Sequence, residues 1–533
     1  MDMSIIIPIY NVESYLTECL ESVLHEVRDK DAEVLLIDDG STDGSSQLAR
    51  AFAEAHDGFD YYRTENHGLS AARNYGVRYA QGDYLWFIDS DDVIVEDCLG
   101  PMLQLARQSG AEITICEVAR LEGKGKIKPS TLQHLALSAV PHTTTNVYEY
   151  PNIVYDCHAT DKLIRRDFYL ANGTQFPEGY LFEDLPTMTG LFLCAKKVSI
   201  MRSVGYLWRQ RSKGDLSITQ QHSRKNLNNR IAMIHRTFQV IKRYGSPTGV
   251  LEVMQTRVLT REFRGYIADL WLLDPTEAQK YVELMAATIE SHIPADFFDR
   301  VPLKYQQQTR YLLNRDVEGL IRLDNYMRES YDRAEVQRVG DRLRIYPSDA
   351  VFSIESRDFT NDALAAIPRS YVDRVRVEGE SLVLQGHLYT PRVTIADPAE
   401  QSVSAHLVNE CSGVEVELSC TSCACPKLTE SAGVIVSRDD YLAHRYNYDG
   451  TGFEVTISPS QLEGIDGLGG NNAIILSYEN YLKKGARVLR GMSASAARAA
   501  SSYHYAGPYG VRAYQDSRGT FFLHLEDRKN VSR

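Results

Sequence analysis

Over the first hundred or so residues, short runs of apolar and β-branched residues alternate with stretches of helical periodicity. "MSIIIPIY", "AEVLLIDDG", "FDYYRTE" and "DYLWFIDS" read as strands, and "VESYLTECLESVLHEV", "SSQLARAFAEAH" and "SAARNYGVRYAQ" as the helices between them. Near-continuous apolar strands joined by amphipathic helices predict a mostly parallel α/β sheet covered on both faces. Ligands of such sheets bind beyond the carboxyl ends of the strands. Three of these ends carry polar clusters, "PIYN", "DDGSTD" and "DSDD". From about 100 to 220 the pattern is mixed, with a polar loop "EGKGKIKPS" and an acidic tip "LFEDLP". Helical periodicity dominates to about 335, in "NLNNRIAMIHRTFQVIKRYG" for example. The remainder, with "SLVLQGHLYTP", "GVEVELSC", "TGFEVTISP" and "NAIILSYEN", reads as short strands of an all-β sandwich. The expected division is therefore an α/β domain at 1–220, a helical linker at 221–345 and a β region at 346–533.

Composition narrows the partners. A formal charge of −13 over 533 residues argues against non-specific nucleic-acid binding, which needs a basic footprint. No stretch has the apolar length of a membrane span, and the N-terminal "MDMSIIIPIY" reads as a strand rather than a signal peptide. A cytoplasmic protein is expected, with peripheral association at the inner face of a membrane left open. Nine cysteines, an odd number, suggest reduced thiols. Cys411, Cys420, Cys423 and Cys425 cluster in a way that fits either a zinc site or a cysteine-bearing loop between strands.

The strand-end clusters are the candidates for chemistry. In "IDDGSTD", Ser41, Thr42 and Asp43 are accounted for by capping the following helix. The double aspartate before them offers a carboxylate to a base imide or a ribose. "NHGLSAARNYG" sets Asn66 and Arg73 at a helix start, where an arginine can hold an anion or pair with a strand-end aspartate. "FIDSDD" crowds Asp89, Asp91 and Asp92 together; a cluster of like charges needs either full solvation or a cation. Carboxylates spaced i and i+2 in a turn suit a hard divalent ion shared with phosphate oxygens.

"SIIIPIYNVESYL", "VLLIDDGSTDGS" and "NHGLSAARNYGVRYAQGDYLWFIDSDD" resemble the successive signatures of family 2 glycosyltransferases, which have the GT-A fold. The resemblance implies inverting transfer of a hexosyl or N-acetylhexosaminyl group from a nucleoside diphosphate donor, expected to be a UDP-sugar, with Mn2+ or Mg2+ as cofactor. It implies that Pro8, Tyr10 and Asp39 cradle the base, with Asn66 and Arg73 on the nucleoside side. Asp89, Ser90 and Asp91 would be the D-x-D motif, Asp89 and Asp91 meeting ribose and metal, with Asp92 as a substitute ligand. Of the "ED" pair, Asp184 would be the base and Glu183 its neighbour; Arg211, with Ser217, would serve the leaving diphosphate. Asp215 stands where many relatives carry a histidine, and Lys162, Arg165 and Arg166 would support the acceptor side.

The layout beyond 220 is similar to that of wall teichoic acid glycosyltransferases of Gram-positive bacteria, whose C-terminal domains mediate trimerisation or polymer binding. That similarity implies a teichoic acid or polysaccharide acceptor and a homo-oligomer, trimer or dimer. Two rival readings are a catalytically silent polymer-binding scaffold on the same fold and a nucleotidyl- or phosphosugar transferase. The first is opposed by the intact acidic and arginine motifs, the second by the lack of a glycine-rich, lysine-bearing loop after the first strand.

Overall fold

A computed structural model describes residues 1–122, 125–130, 133, 136–137, 144–211, 217, 221–329, 335–339, 342–346, 357–358, 369–390, 393, 395–425, 448–480, 484–489, 496, 504–506, 509–515 and 521–527. Strand β1 (Met3–Ile9) is buried along its whole length, as its run of isoleucines requires of a central strand. It lies between β2 (Ala32–Asp38) and β4 (Tyr84–Phe87), with β3 (Phe59–Arg63) outside β2, all parallel. The crossovers are α1 (Glu13–Val27), α2 (Ser45–Ala55) and α3 (Leu69–Tyr79). Leu16, Cys19, Leu20, Val23 and Val27 form the buried stripe of α1 at helical spacing. Helix α3 lies close on the sheet because Gly76 has no side chain: a Cβ there would stand 2.5 Å from Ile6 Cγ2.

Beyond β4 the sheet becomes mixed. The remaining strands are β5 (Val93–Ile94), β6 (Ile113–Glu122), β7 (Lys126–Pro129), β8 (Thr144–Thr145), β9 (Lys162–Arg165) and β10 (Val198–Arg209), and the order across the sheet is β3-β2-β1-β4-β9-β6-β10-β5. β9 runs antiparallel to both its neighbours, while β6 and β10 are parallel to each other. Pairing of Ile9 with Asp38 and of Ile6 with Phe87 brings all three polar strand ends to one edge.

The chain divides into two compact units, one of 1–137, 142–254 and 410–413, the other of 138–141, 255–409 and 414–533. The first thus runs past the expected boundary at 220, because the helix Arg224–Arg243 packs on the helix Asp184–Cys194. The second holds the helices Pro275–His292, Leu303–Leu313 and Val317–Glu329 and a small antiparallel sheet of β11 (Glu335–Val339), β12 (Arg342–Tyr346) and β13 (Arg357–Asp358). Its main sheet has β14 (Arg369–Glu378), β15 (Ser381–Tyr389), β16 (Gln401–Asn409), β17 (Glu415–Cys423), β18 (Gly452–Ile457), β19 (Gly470–Asn480), β20 (Lys484–Val488), β21 (His504–Ala506), β22 (Tyr509–Gln515) and β23 (Phe521–Asp527). These pair antiparallel in the order β14-β15-β18-β17-β16-β19-β23-β22-β21, with β20 beside β19. Leu384 of β15 and Val455 of β18 share one core with Ile474 of β19 and Leu523 of β23. The C-terminal region is all-β, as expected, but its hydrogen bonding continues from one end of the path to the other. Among the described residues, no helix is long and apolar enough to cross a membrane.

Candidate active site

At the end of β1, Tyr10 is exposed and offers a ring face to solvent, whereas Pro8 is buried inside the strand opposite Ile37. Asn11 takes φ +51, and its Oδ1 accepts from the Thr42 amide at 2.8 Å, tying the first strand end to the second. The two aspartates of "DDGS" divide their work. Asp38 accepts from Ser46 Oγ, Tyr61 OH, Arg63 Nη1 and the Ser41 amide. Burial raises its pKa, but the bonds from Ser46 and Tyr61 outweigh this and hold it below the usual value. Asp39 is 3% exposed and accepts from the His67 and Gly68 amides at 2.9 and 2.8 Å. Pro8 and Asp39, expected to cradle a base, are thus placed beneath the strand-end surface, with Asp39 shaping the loop that presents exposed Asn66. Gly68 adopts φ +90 at the start of α3, a conformation glycine takes without steric cost.

Arg73 is the centre of the arrangement. It projects from α3 with a side chain 1% exposed, and it donates to Asp89 at 2.8 Å, Glu183 at 2.6 Å and Asp184 at 2.7 Å. Its guanidinium lies over the Phe176 ring at 5.1 Å. Beside it, Asn74 donates to Phe176 O and accepts from Phe176 N, both at 2.9 Å, and so pins the chain leading to the "ED" pair. Burial opposes the charge on Arg73, but Asp184, Asp89 and Glu183 outweigh it and raise its pKa further. The arginine expected on the nucleoside side therefore meets carboxylates through both Nη atoms. Of the two roles its position allowed, the structure displays the ion pair with a strand-end aspartate.

The three aspartates of "DSDD" also differ. Asp92 is buried; it accepts from Tyr206 OH at 2.6 Å and from the Arg209 amide at 2.7 Å. Burial, with Asp91 and Asp89 near, pushes its pKa well up. It braces the turn and is not placed as the substitute metal ligand. The same Tyr206 hydroxyl accepts from the Asp89 amide at 3.2 Å. Asp89 and Asp91 stay partly exposed at 34% and 16%, while Ser90 between them is buried. Arg211 Nε donates to Asp91 Oδ2 at 2.7 Å, and Arg209 Nε to the Asp91 carbonyl at 2.6 Å. Both guanidinium groups lie over the Tyr15 ring, Arg211 at 5.2 Å and Arg209 at 5.4 Å. Burial raises the Asp91 pKa, Arg211 opposes the rise and Asp89 adds to it. This is an oxygen-only donor pair that already attracts a cationic partner, so it fits a hard divalent ion shared with phosphate.

Glu183 and Asp184 are delivered by a constrained turn. Phe182 takes φ +66, a conformation a bulky residue adopts only when its surroundings hold it there. Asn229 Oδ1 accepts from the Leu181 amide at 3.1 Å, and the Arg230 guanidinium sits over the Phe182 ring at 3.4 Å. Asp184 opens its helix with Oδ2 on the Ala159 amide at 3.1 Å. Its side chain is 22% exposed against 5% for Glu183, so Asp184 is the member that can meet a ligand. Burial, reinforced by Asp184 and opposed by Arg73, pushes Glu183 up to about 7.

Tyr206, Asn229 and Arg230 carried no motif in the sequence, and Asn74 lay within "NHGLSAARNYG" without a role of its own. Lys162, expected on the acceptor side, is fully buried and paired with Asp156 at 3.1 Å and Asp161 at 2.6 Å. Ser217 is half-buried, and Lys213 and Asp215 lie outside the described residues.

A mixed sheet thus carries an acidic, arginine-linked edge at its strand ends. Residues 4–170 match the model of glycosyl transferase family 2, so that stretch of the chain forms a domain of that family. The chain is similar to the glycosyltransferase GlyG of Streptococcus pneumoniae, 29% identical over 39% of this chain and 71% of GlyG. It is also similar to the minor teichoic acid biosynthesis protein GgaB of Bacillus subtilis, 28% identical over 42% of this chain but only 25% of GgaB. The fold resembles the crystal structure of S. aureus TarS, with a TM-score of 0.52 at 15% identity over 99% of this chain and 85% of TarS. A TarS 1-349 structure in complex with UDP gives 0.50 at 18% identity over 67% of this chain and 99% of that one.

Proposed function

We propose that the N-terminal unit transfers a sugar, with inversion, from a UDP-sugar to a hydroxyl of a bacterial surface polymer such as a teichoic acid or a capsular or cell-wall polysaccharide. The observation that carries this is the Arg73 node, which joins a D-x-D carboxylate and the "ED" pair within one hydrogen-bonded cluster. An inverting transfer needs a base on the face opposite the departing diphosphate. Asp184 takes that role because it is exposed to the site and oriented from two sides, by Arg73 and the Ala159 amide. As it takes the hydroxyl proton, the acceptor oxygen bonds to the anomeric carbon and the bond to the diphosphate breaks, its electrons leaving with the diphosphate. Glu183 holds Arg73 from the buried side and positions its neighbour.

On the donor side, Tyr10 stacks on the base and Asn66 borders the nucleoside, both being exposed at strand ends. Asp91 and Asp89 would hold Mn2+ or Mg2+, which supplies charge neutralisation at the diphosphate. Arg211, two residues beyond the end of β10 and bonded to Asp91, stabilises the negative charge that develops on the leaving group. The UDP assignment is in keeping with the ligand of the TarS 1-349 complex, and the polymer acceptor with the name of GgaB. The C-terminal β region would bind polymer or form a homo-oligomer, and the protein would work in the cytoplasm at the inner membrane face.

The test is isothermal titration with UDP, UDP-GlcNAc, UDP-glucose and UDP-galactose, in Mn2+ and in EDTA, on the wild type and Asp91→Ala. Metal-dependent binding of one UDP-sugar, lost in the variant, supports the proposal. Failure of every uridine ligand to bind would overturn the donor assignment and favour a silent scaffold.

A further inference from the structure

A second cluster of ligating side chains lies in the all-β region, among residues the proposed transfer does not use. We propose that Asp373, His387 and Cys425 bind a transition-metal ion of the zinc class. One ligand atom from each lies within 4.8 Å of the others. Bond lengths of about 2.0–2.3 Å place tetrahedral zinc ligands roughly 3.5 Å apart, so closure needs about an ångström of side-chain movement.

The backbone converges on this point by three separate devices. Asp373 is the extra residue of a β-bulge: Val372 pairs with Gly386 and Arg374 with Gln385, leaving Asp373 unopposed. Such bulges re-aim a side chain that a regular strand would point elsewhere. His387 is buried between Tyr371 and Tyr389, with ring centroids 5.6 and 5.9 Å away, and its Nδ1 stands 2.9 Å from Asp373 Oδ2. Cys425 follows β17 and is pinned by its amide, which donates to Asp449 O at 2.6 Å.

The strands also approach closely here. Across the sheet, His387 pairs with Gly452 and Gly452 with Cys423, so the residue between the histidine and that cysteine has no side chain. A Cβ on Gly452 would stand 2.6 Å from the Cys423 carbonyl and 3.1 Å from its sulfur. The close approach of the chain that leads to Cys425 therefore depends on glycine.

The donor set decides the metal. One carboxylate, one imidazole and one thiolate suit zinc, and the thiolate disfavours magnesium or calcium. On binding, the Cys425 thiol gives its proton to solvent, and a divalent ion between one carboxylate and one thiolate forms a site of no net charge. Three protein ligands leave a fourth position for water. Of the four cysteines whose spacing raised the question of zinc, the geometry recruits Cys425 together with two residues from other strands; Cys411, Cys420 and Cys423 are outside the group.

The test uses the full chain carrying Asp91→Ala, stripped of metal with chelator and titrated with Co2+ as the probe. The expected result is one equivalent of Co2+ with a sulfur-to-cobalt charge-transfer band and the visible bands of a tetrahedral ion, displaced by Zn2+. Cys425→Ser should abolish the charge-transfer band. His387→Gln should weaken binding at least tenfold, and Asp373→Asn, which keeps a partner for His387, should weaken it less. Far-UV circular dichroism identifies any variant that fails to fold, and the remaining variants then decide. The proposal is overturned by absence of the band in the parent, by its survival in Cys425→Ser, or by its loss in Cys423→Ser alone.

Discussion

Replacing Arg73 with methionine keeps most of the side-chain volume and removes the cation that is bonded to Asp89, Glu183 and Asp184 at once. Removing one partner of a buried ion pair costs about 3–5 kcal/mol, because the remaining charge is left without compensation. Arg73 has three partners and is 1% exposed, so the upper part of that range applies. Against a usual stability of about 5–15 kcal/mol, such a loss brings the unit close to unfolding. The carboxylates can relieve the strain by taking up a proton, and Glu183, pushed up to about 7 even beside the arginine, is the first to do so. The cost should therefore be larger at pH 8 than at pH 5.5. Urea unfolding at both pH values, followed by tryptophan fluorescence, measures it: Trp86 is fully buried in this core, whereas Trp271 in the second unit is 62% exposed. A loss below about 1 kcal/mol, the size of an exposed pair, would refute the central role given to Arg73. So would a loss of equal size at both pH values.

Asp184→Asn should lower kcat by about 10²–10⁴, the usual worth of a general base, while UDP affinity by calorimetry stays unchanged. Burial outweighs the pairing of Glu183 with Arg73 and raises its pKa from 4.5 to about 7, so the contribution of Glu183 to stability is full at low pH and is lost as pH rises through that interval. At about 1.4 kcal/mol per unit this amounts to roughly 3 kcal/mol, which Glu183→Gln should remove from the pH dependence of urea unfolding. Asn229→Ala deletes the bond to the Leu181 amide; with about 1 kcal/mol at stake, a several-fold fall in kcat without a change in donor affinity is expected from steady-state kinetics and titration.

Much of the fold could be read from the chain because its signals are local. Each of the first strands is an apolar run of its own, and the polar residues that matter follow directly after it. The acidic edge was legible for the same reason. The division of labour within it was not. Asp38 and Asp39 look alike in sequence, yet one is held by Ser46, Tyr61 and Arg63 and the other by two loop amides. Asp92 is separated from Asp91 only by its bonds to Tyr206 and Arg209 on β10. Arg73 reaches a glutamate 110 residues away, a pairing that no local pattern encodes. Lys162 was expected on the acceptor side; its burial between two aspartates, neither of which forms a motif, was not legible in the sequence.

The bond between Arg211 and Asp91 bears on the proposed donor site. A divalent ion held there would share Asp91 Oδ2 with the guanidinium. Arg211 would then be freed to meet the negative charge of a diphosphate. Donor affinity on the proposed reading is an exchange constant, the difference between two pairings. In the structure itself, Arg211 supplies the positive charge beside Asp91.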